Sequence, residues 1–166
     1  NDEDTRLEYL RGQLQLGQAG RDTVAMRQAI DDMGHLTIRR GKALHHYWTG
    51  VLDLKAWDLS QAREQLGMIQ DEFDPSPNDP RTGYRRLCAM IALAEGDPGG
   101  ALAELDRIPG YLGEWGWAAM QPLHHPLVVE VLLACGDLEG ALKAQEAHVR
   151  RCGYSGEAYL DLARLY

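Results

Sequence analysis

The chain has few of the features that would announce a chemistry. Its three cysteines, Cys88, Cys135 and Cys152, are an odd number without C-x-x-C spacing. That pattern argues against a disulfide framework or a thiolate zinc site and fits a reducing compartment. No apolar run approaches the roughly 20 residues a membrane-spanning helix needs. No signal-peptide pattern is read at the start, so a cytoplasmic protein is expected. Lysine is scarce too: Lys42, Lys55 and Lys143 are the only three, and arginine supplies the rest of the 17 cations against 25 acids. The net charge of −8 argues against nucleic acid, whose phosphates are bound by neutralising them, and against an anionic membrane surface. Catalytic signatures are missing as well. There is no G-x-S-x-G and no H-E-x-x-H, and Gly96 to Gly100 lacks the Lys-Ser/Thr of a phosphate loop. Cys88 falls mid-helix on a packing face, where a thiol is inert. No enzyme activity, cofactor or metal is expected.

What the chain does have is a phrase used twice. Leu93-Ala94-Glu95-Gly96-Asp97-Pro98-Gly99-Gly100-Ala101-Leu102 returns 40 residues later as Leu133-Ala134-Cys135-Gly136-Asp137-Leu138-Glu139-Gly140-Ala141-Leu142. Each copy reads as the end of one helix, a tight turn and the start of a second helix folded back on the first. Gly96 and Gly136 stand where a helix end takes positive φ. Asp97 and Asp137 follow as N-caps, and Pro98 fits the first helical position. Helical hairpins at a fixed period predict a solenoid, in which each unit packs on its neighbours.

The rest of the chain fits this plan. With 45 % apolar and 25 % charged residues in 166, it can bury one sizeable core, and a single domain over 1–166 is expected. Leu7, Leu10 and Leu14 mark one face of a helix over 4–16. A second helix from about Arg21 turns Val24, Ala25, Ala29, Ile30 and Met33 inward. Residues 34–41 read less clearly, because Thr37 and Ile38 are β-branched and Gly41 is a poor helix former. Helices follow over 42–54 and from Asp58, whose partner in a partial capping box is Gln61. Residues 74–80 carry three prolines and mark the strongest linker and the place for a break in the stack. Helices are then expected over 81–95, to Ile108, from near His124 to Cys135, to about Arg151, and finally over 155–166 as a cap. Residues 111–117 form a loop rich in glycine and aromatics.

The small residues early in each second helix are Ala25, Ala62, Ala101 and Ala141, spaced by 37, 39 and 40. The facing positions in the first helices are Gln13, Gly50, Ala89 and Val129, and small residues at both places allow close crossing. With its Gly-Asp turns, this pattern resembles the tetratricopeptide repeat family, over most of residues 3–152. The resemblance implies an all-α fold: a right-handed α-α superhelix of about four hairpins with a C-terminal capping helix. The longer period also resembles the helical repeat domains of large bacterial ATPase-linked transcription activators, which implies a regulatory, ligand-sensing domain as the second reading.

In the tetratricopeptide family the first helix of each pair lines a concave groove. Carried over, the groove residues include Tyr47, Val51 and Lys55, then Arg86, Met90 and Leu93, then Glu130. The family's carboxylate clamp is absent, since Asn occurs only at Asn1 and Asn78. An apolar groove suits an amphipathic helix or an extended peptide. The expected function is a protein-interaction scaffold with a protein or peptide partner. Its expected contacts are Tyr47, Lys55, Arg86, Met90 and Glu130, joined by Trp115 and Trp117 of the aromatic loop. The same apolar residues at Leu10, Leu14, Val51 and Leu93 also fit an ordinary core, and the loop also fits a plug. Two histidine pairs, His45-His46 and His124-His125, sit at equivalent places. Adjacent histidines on a helix point about 100° apart, so packing is expected rather than metal.

Overall fold

The structure, a computed structural model, describes residues 2–71, 81–108 and 125–152 together with Ala163. Among the described residues every regular element is an α-helix and there is no strand. The helices are α1 (Asp2–Ala19), α2 (Thr23–Gly34), α3 (Arg39–Lys55), α4 (Leu59–Asp71), α5 (Arg81–Ala94), α6 (Pro98–Asp106), α7 (His125–Ala134) and α8 (Leu138–Cys152). The chain divides into two compact units, Asn1–Leu87 and Cys88–Tyr166, and the division falls inside α5. The proline-rich stretch 74–80, the aromatic loop and the expected capping helix over 155–166 lie outside the described residues.

One turn joins the paired helices four times. Arg21, Trp57, Gly96 and Gly136 take φ of 53°, 61°, 78° and 79°. The aspartate that follows each donates its backbone N–H back to the first helix. Asp22 bonds Gly17 O at 2.8 Å, while Asp58, Asp97 and Asp137 bond Asp53 O, Ala92 O and Leu132 O, each at 2.9 Å. This is the long bond of a Schellman motif, which satisfies a carbonyl the ending helix leaves open. The same aspartate then caps the next helix. Its carboxylate accepts from Val24 N and Ala25 N at Asp22, from Gln61 N at Asp58, from Gly100 N at Asp97 and from Gly140 N at Asp137. One residue therefore closes one helix and opens the other.

These bonds fix the repeat frame, and they move it by one residue in the first hairpin. Ala62, Ala101 and Ala141 each donate to the turn aspartate's carbonyl, but in the first hairpin Met26 does so, not Ala25. Met26 is buried, and Val24, expected to face inward, is 76 % exposed in the first turn of α2. A long side chain in an alanine slot needs room on the facing helix. Gly17 provides it, since a Cβ there would stand 2.8 Å from Met26 Cγ.

In the first unit Leu7, Leu10 and Leu14 of α1 pack inward with Ile30 and Met33 of α2, and all five are at most 4 % exposed. The stretch over 34–41 resolves into a short link. Leu36 is buried, and Gly41 lets it in, because a Cβ at Gly41 would lie 2.9 Å from Leu36 Cβ. Thr37 gives its N–H and its hydroxyl to the Glu3 carboxylate at 3.0 and 2.6 Å, tying the start of α1 to this link. Gly50 of α3 lies against Leu87 in the same way. In the second unit one cluster joins Ala89, Ala101, Leu105, Ile108, Val128, Val131, Ala141 and Ala144. It holds α5, α6, α7 and α8 by apolar contact.

Two stability measurements check this account. Gly17→Ala crowds Met26 Cγ and the backbone of the turn and lowers stability by about 1–2 kcal/mol in urea unfolding, and because Met26→Ala relieves only the side-chain part of that clash, the double variant loses less than the two single losses added together. Trp57→Gly removes a bulky residue from a left-handed backbone with little contact area to lose, and raises stability by about 0.5–1 kcal/mol.

Candidate interaction surface

The expected contact residues separate into buried and exposed groups. Tyr47 and Arg86 are 4 % and 6 % exposed and face each other. The Arg86 guanidinium carbon sits 5.1 Å from the centre of the Tyr47 ring, and the two side chains share a hydrogen bond. Burial pushes the Tyr47 phenol above its ordinary value, with the Arg86 charge pulling the other way. Trp48 meets Tyr47 edge-on at 5.0 Å. Stacking on an aromatic face suits a guanidinium withdrawn from water, because the ring quadrupole replaces part of its hydration. These side chains brace α3 against the start of α5 from within the first unit. Val51, Leu10 and Leu14 are buried too.

Lys55 is exposed in the last turn of α3, where its charge suits the helix C-terminus. In the second unit Met90 is partly buried against the apolar cluster. Glu130 is exposed by area, yet enough protein surrounds its carboxyl to raise it above the ordinary glutamate range by desolvation. Trp115 and Trp117 lie outside the described residues.

The histidines are held by local bonds. His45 Nδ1 is 2.8 Å from Ile30 O, and since a carbonyl only accepts, Nδ1 carries the hydrogen. His46 Nδ1 is 2.8 Å from Gln65 Oε1. His124 and the side chain of His125 are outside the described residues. Among the described residues no group of three or more His, Cys, Asp or Glu side chains is placed to hold a metal. Cys88 is partly buried and Cys135 exposed, and neither is in a disulfide. No described helix is long and apolar enough to cross a membrane.

The most exposed large apolar residue in the described structure is Trp57, at 83 %, followed by Val24, Leu16 and Tyr9 at 76 %, 68 % and 64 %. None of the four was expected at the surface of a binding site. A signal for Trp57 was in the sequence: aligned on the phrase, Ala56-Trp57-Asp58 puts an indole where the later hairpins have glycine. Tryptophan is a frequent anchor of protein interfaces when it stands exposed in the free protein.

Beside the same turn, Asp53 is in a poor place for a charge. It lies in the last turn of α3, partly buried, with Oδ2 hidden from water and without a hydrogen-bond partner. Burial raises its carboxyl above the ordinary value, and Asp58 and Glu64 push the same way. The helix C-terminus also disfavours an anion. The matching places in the other hairpins hold Gly17, Ala92 and Leu132, whose carbonyls make the same turn bond.

No family model, curated protein or solved structure matches the chain. The functional reading therefore rests on the chain's own repetition and surface.

Asp53 supplies the check on this electrostatic picture. Its carboxyl binds a proton more tightly folded than unfolded, so ionisation costs stability as pH rises past 3.8, the ordinary value. Asp53→Asn is accordingly more stable than the parent chain at neutral pH. The difference closes below pH 3.8, as read by urea unfolding at both pH values.

Proposed function

We propose that this chain is a protein-interaction scaffold of tetratricopeptide-like hairpins that holds a peptide or partner domain in the cytoplasm. In this reading the hairpins wind as a right-handed superhelix, residues 155–166 cap it, and the first helices line its groove. The observation that carries the reading is the turn made four times with the same backbone bond and the same capping aspartate. A fold built from one repeated hairpin presents its first helices in series, and such series serve as peptide platforms. The proposed contacts are Lys55, Met90 and Glu130, with Trp115 and Trp117. The buried pair Tyr47 and Arg86 braces α3 and the start of α5 within the first unit.

Affinity capture with the immobilised chain from a lysate of its source tests this. The unmodified chain is expected to retain a protein partner, and a folded Lys55→Glu, Glu130→Lys variant at least ten-fold less of it. Equal recovery would remove those residues from the site, and no partner at all would remove the scaffold.

A further inference from the structure

The turn between α3 and α4 departs from its counterparts at two places, and each departure costs stability. Gly96 and Gly136 hold the left-handed position in the last two hairpins, whereas here Trp57 takes φ 61° and leaves its indole 83 % exposed. Four residues earlier, Asp53 stands where the other hairpins have Gly17, Ala92 and Leu132. The bond from Asp58 N to Asp53 O brings these two aspartates together, at the pair of places where a Schellman motif frequently seats an apolar contact. In the other three hairpins one member of that pair is uncharged. Here two carboxyls meet at one turn, and Glu64 of α4 is near enough to act on Asp53 as well.

The fold leaves these acids without a cation. Among the described residues Asp53 and Glu64 enter no ion pair, and Asp53 Oδ2 has no hydrogen-bond partner. Asp58 Oδ1 accepts from Gln61 N, a backbone group that carries no net charge. Lys55 lies two residues from Asp53 on α3, and helical geometry turns it toward the opposite side. The last carbonyls of α3 add partial negative charge at the same end. Next in sequence to Asp58, the Trp57 indole presents an aromatic face to solvent, and that face is itself the negative part of the ring quadrupole. Every group at this turn favours a cation, and the flat indole favours a flat one.

We propose that the α3–α4 turn is a docking point for an arginine side chain of a partner protein, its guanidinium stacked on the Trp57 indole and its N–H groups turned toward Asp53 and Asp58. Arginine fits better than lysine, because a planar, weakly hydrated guanidinium stacks on a ring and donates in its own plane at once. The chain builds the same kind of stack internally, with the Arg86 guanidinium carbon 5.1 Å from the centre of the Tyr47 ring. A bare metal ion is a poorer occupant, since among the described residues no three such groups are placed to hold one. A second copy of the chain fits poorly too, because two chains of net charge −8 repel. Binding an arginine covers the indole and compensates the aspartates, the two things the fold itself leaves undone. The site uses none of the proposed groove contacts, and its test does not depend on them.

The probes are two fluorescein-labelled peptides of equal charge, one of repeated Gly-Arg units and one of repeated Gly-Lys units. Fluorescence anisotropy with the whole chain at physiological ionic strength is expected to show saturable binding of the arginine peptide. The lysine peptide binds about five-fold more weakly. Trp57→Gly and Asp53→Asn each weaken the arginine peptide by about three- to five-fold. Both variants melt at or above the parent temperature, so lost binding is not lost fold. Leu138→Gln, which alters an exposed apolar residue elsewhere, leaves binding unchanged. In the ¹⁵N-labelled chain, the indole N–H signal that Trp57→Gly removes shifts as the arginine peptide is added. Absent binding, equal binding of the two peptides, or full binding by Trp57→Gly would overturn the proposal, the last two because net charge alone would then hold the peptide. So would an indole signal that calcium chloride moves and the arginine peptide does not, or a dimer in sedimentation that Trp57→Gly dissolves.

Discussion

A single aspartate, used at each of four turns, is the constraint on which the rest of the structure depends. Two helices that reverse direction in three residues leave carbonyls open at one end and N–H groups open at the other. Asp22, Asp58, Asp97 and Asp137 serve both ends, giving a backbone N–H to the finished helix and a carboxylate to the new one. The price is a left-handed residue just before the aspartate. Gly96 and Gly136 adopt that conformation freely, whereas Arg21 and Trp57 are held in it by the bonds on either side. Turn geometry here is stronger than residue preference.

Once the turn is fixed, so is which residue of one helix meets which residue of the other, and the remaining freedom is volume. Ala62, Ala101 and Ala141 fill the same slot and are fully buried. The first hairpin exchanges sizes across the crossing, with Met26 in the alanine slot and Gly17 opposite. Gly17, whose matching places hold Asp53, Ala92 and Leu132, leaves the room the longer side chain needs. The frame also explains the trouble at Asp53. Its position is defined by a backbone carbonyl, which any residue supplies, so the turn does not protest at a carboxylate there, and only the local electrostatics do.

The helices and their order were legible in the sequence because glycine, aspartate and proline at a helix boundary each act through the backbone. The doubled phrase carried two of the four turns outright. The other two were readable only as far as the aspartates, since Arg21 and Trp57 stand at the left-handed position where the doubled phrase has glycine. That gap let the first repeat slip by one, setting Ala25 where Met26 belongs and turning Val24 inward. Propensity rules could not have corrected it, because the decision is made by the Gly17–Met26 contact between helices. The surface was less legible than the fold. Tyr47 and Arg86 are amphipathic side chains whose sequence positions fit a groove as well as a core. Their mutual stacking, which burial makes worthwhile, is a tertiary fact.

Repetition also changes what an exposed residue means. In an irregular globule a solvent-facing Tyr or Leu is unremarkable, since apolar atoms make up much of any protein surface. In a chain of equivalent hairpins each position has three counterparts that show what the same face does when it is covered. Trp57 fails that comparison as a structural residue: two of its three counterparts are glycines, its backbone is unfavourable for a side chain, and its indole is 83 % exposed. Leu16 fails it differently, for its counterparts Ile91 and Val131 are buried and it is not. Neither exposure lowers the free energy of this fold, and the turn geometry gives no reason for an indole at position 57. What these side chains can still gain is contact area with another molecule, which is where hydrophobic surface that folding leaves unburied has its remaining free energy to give.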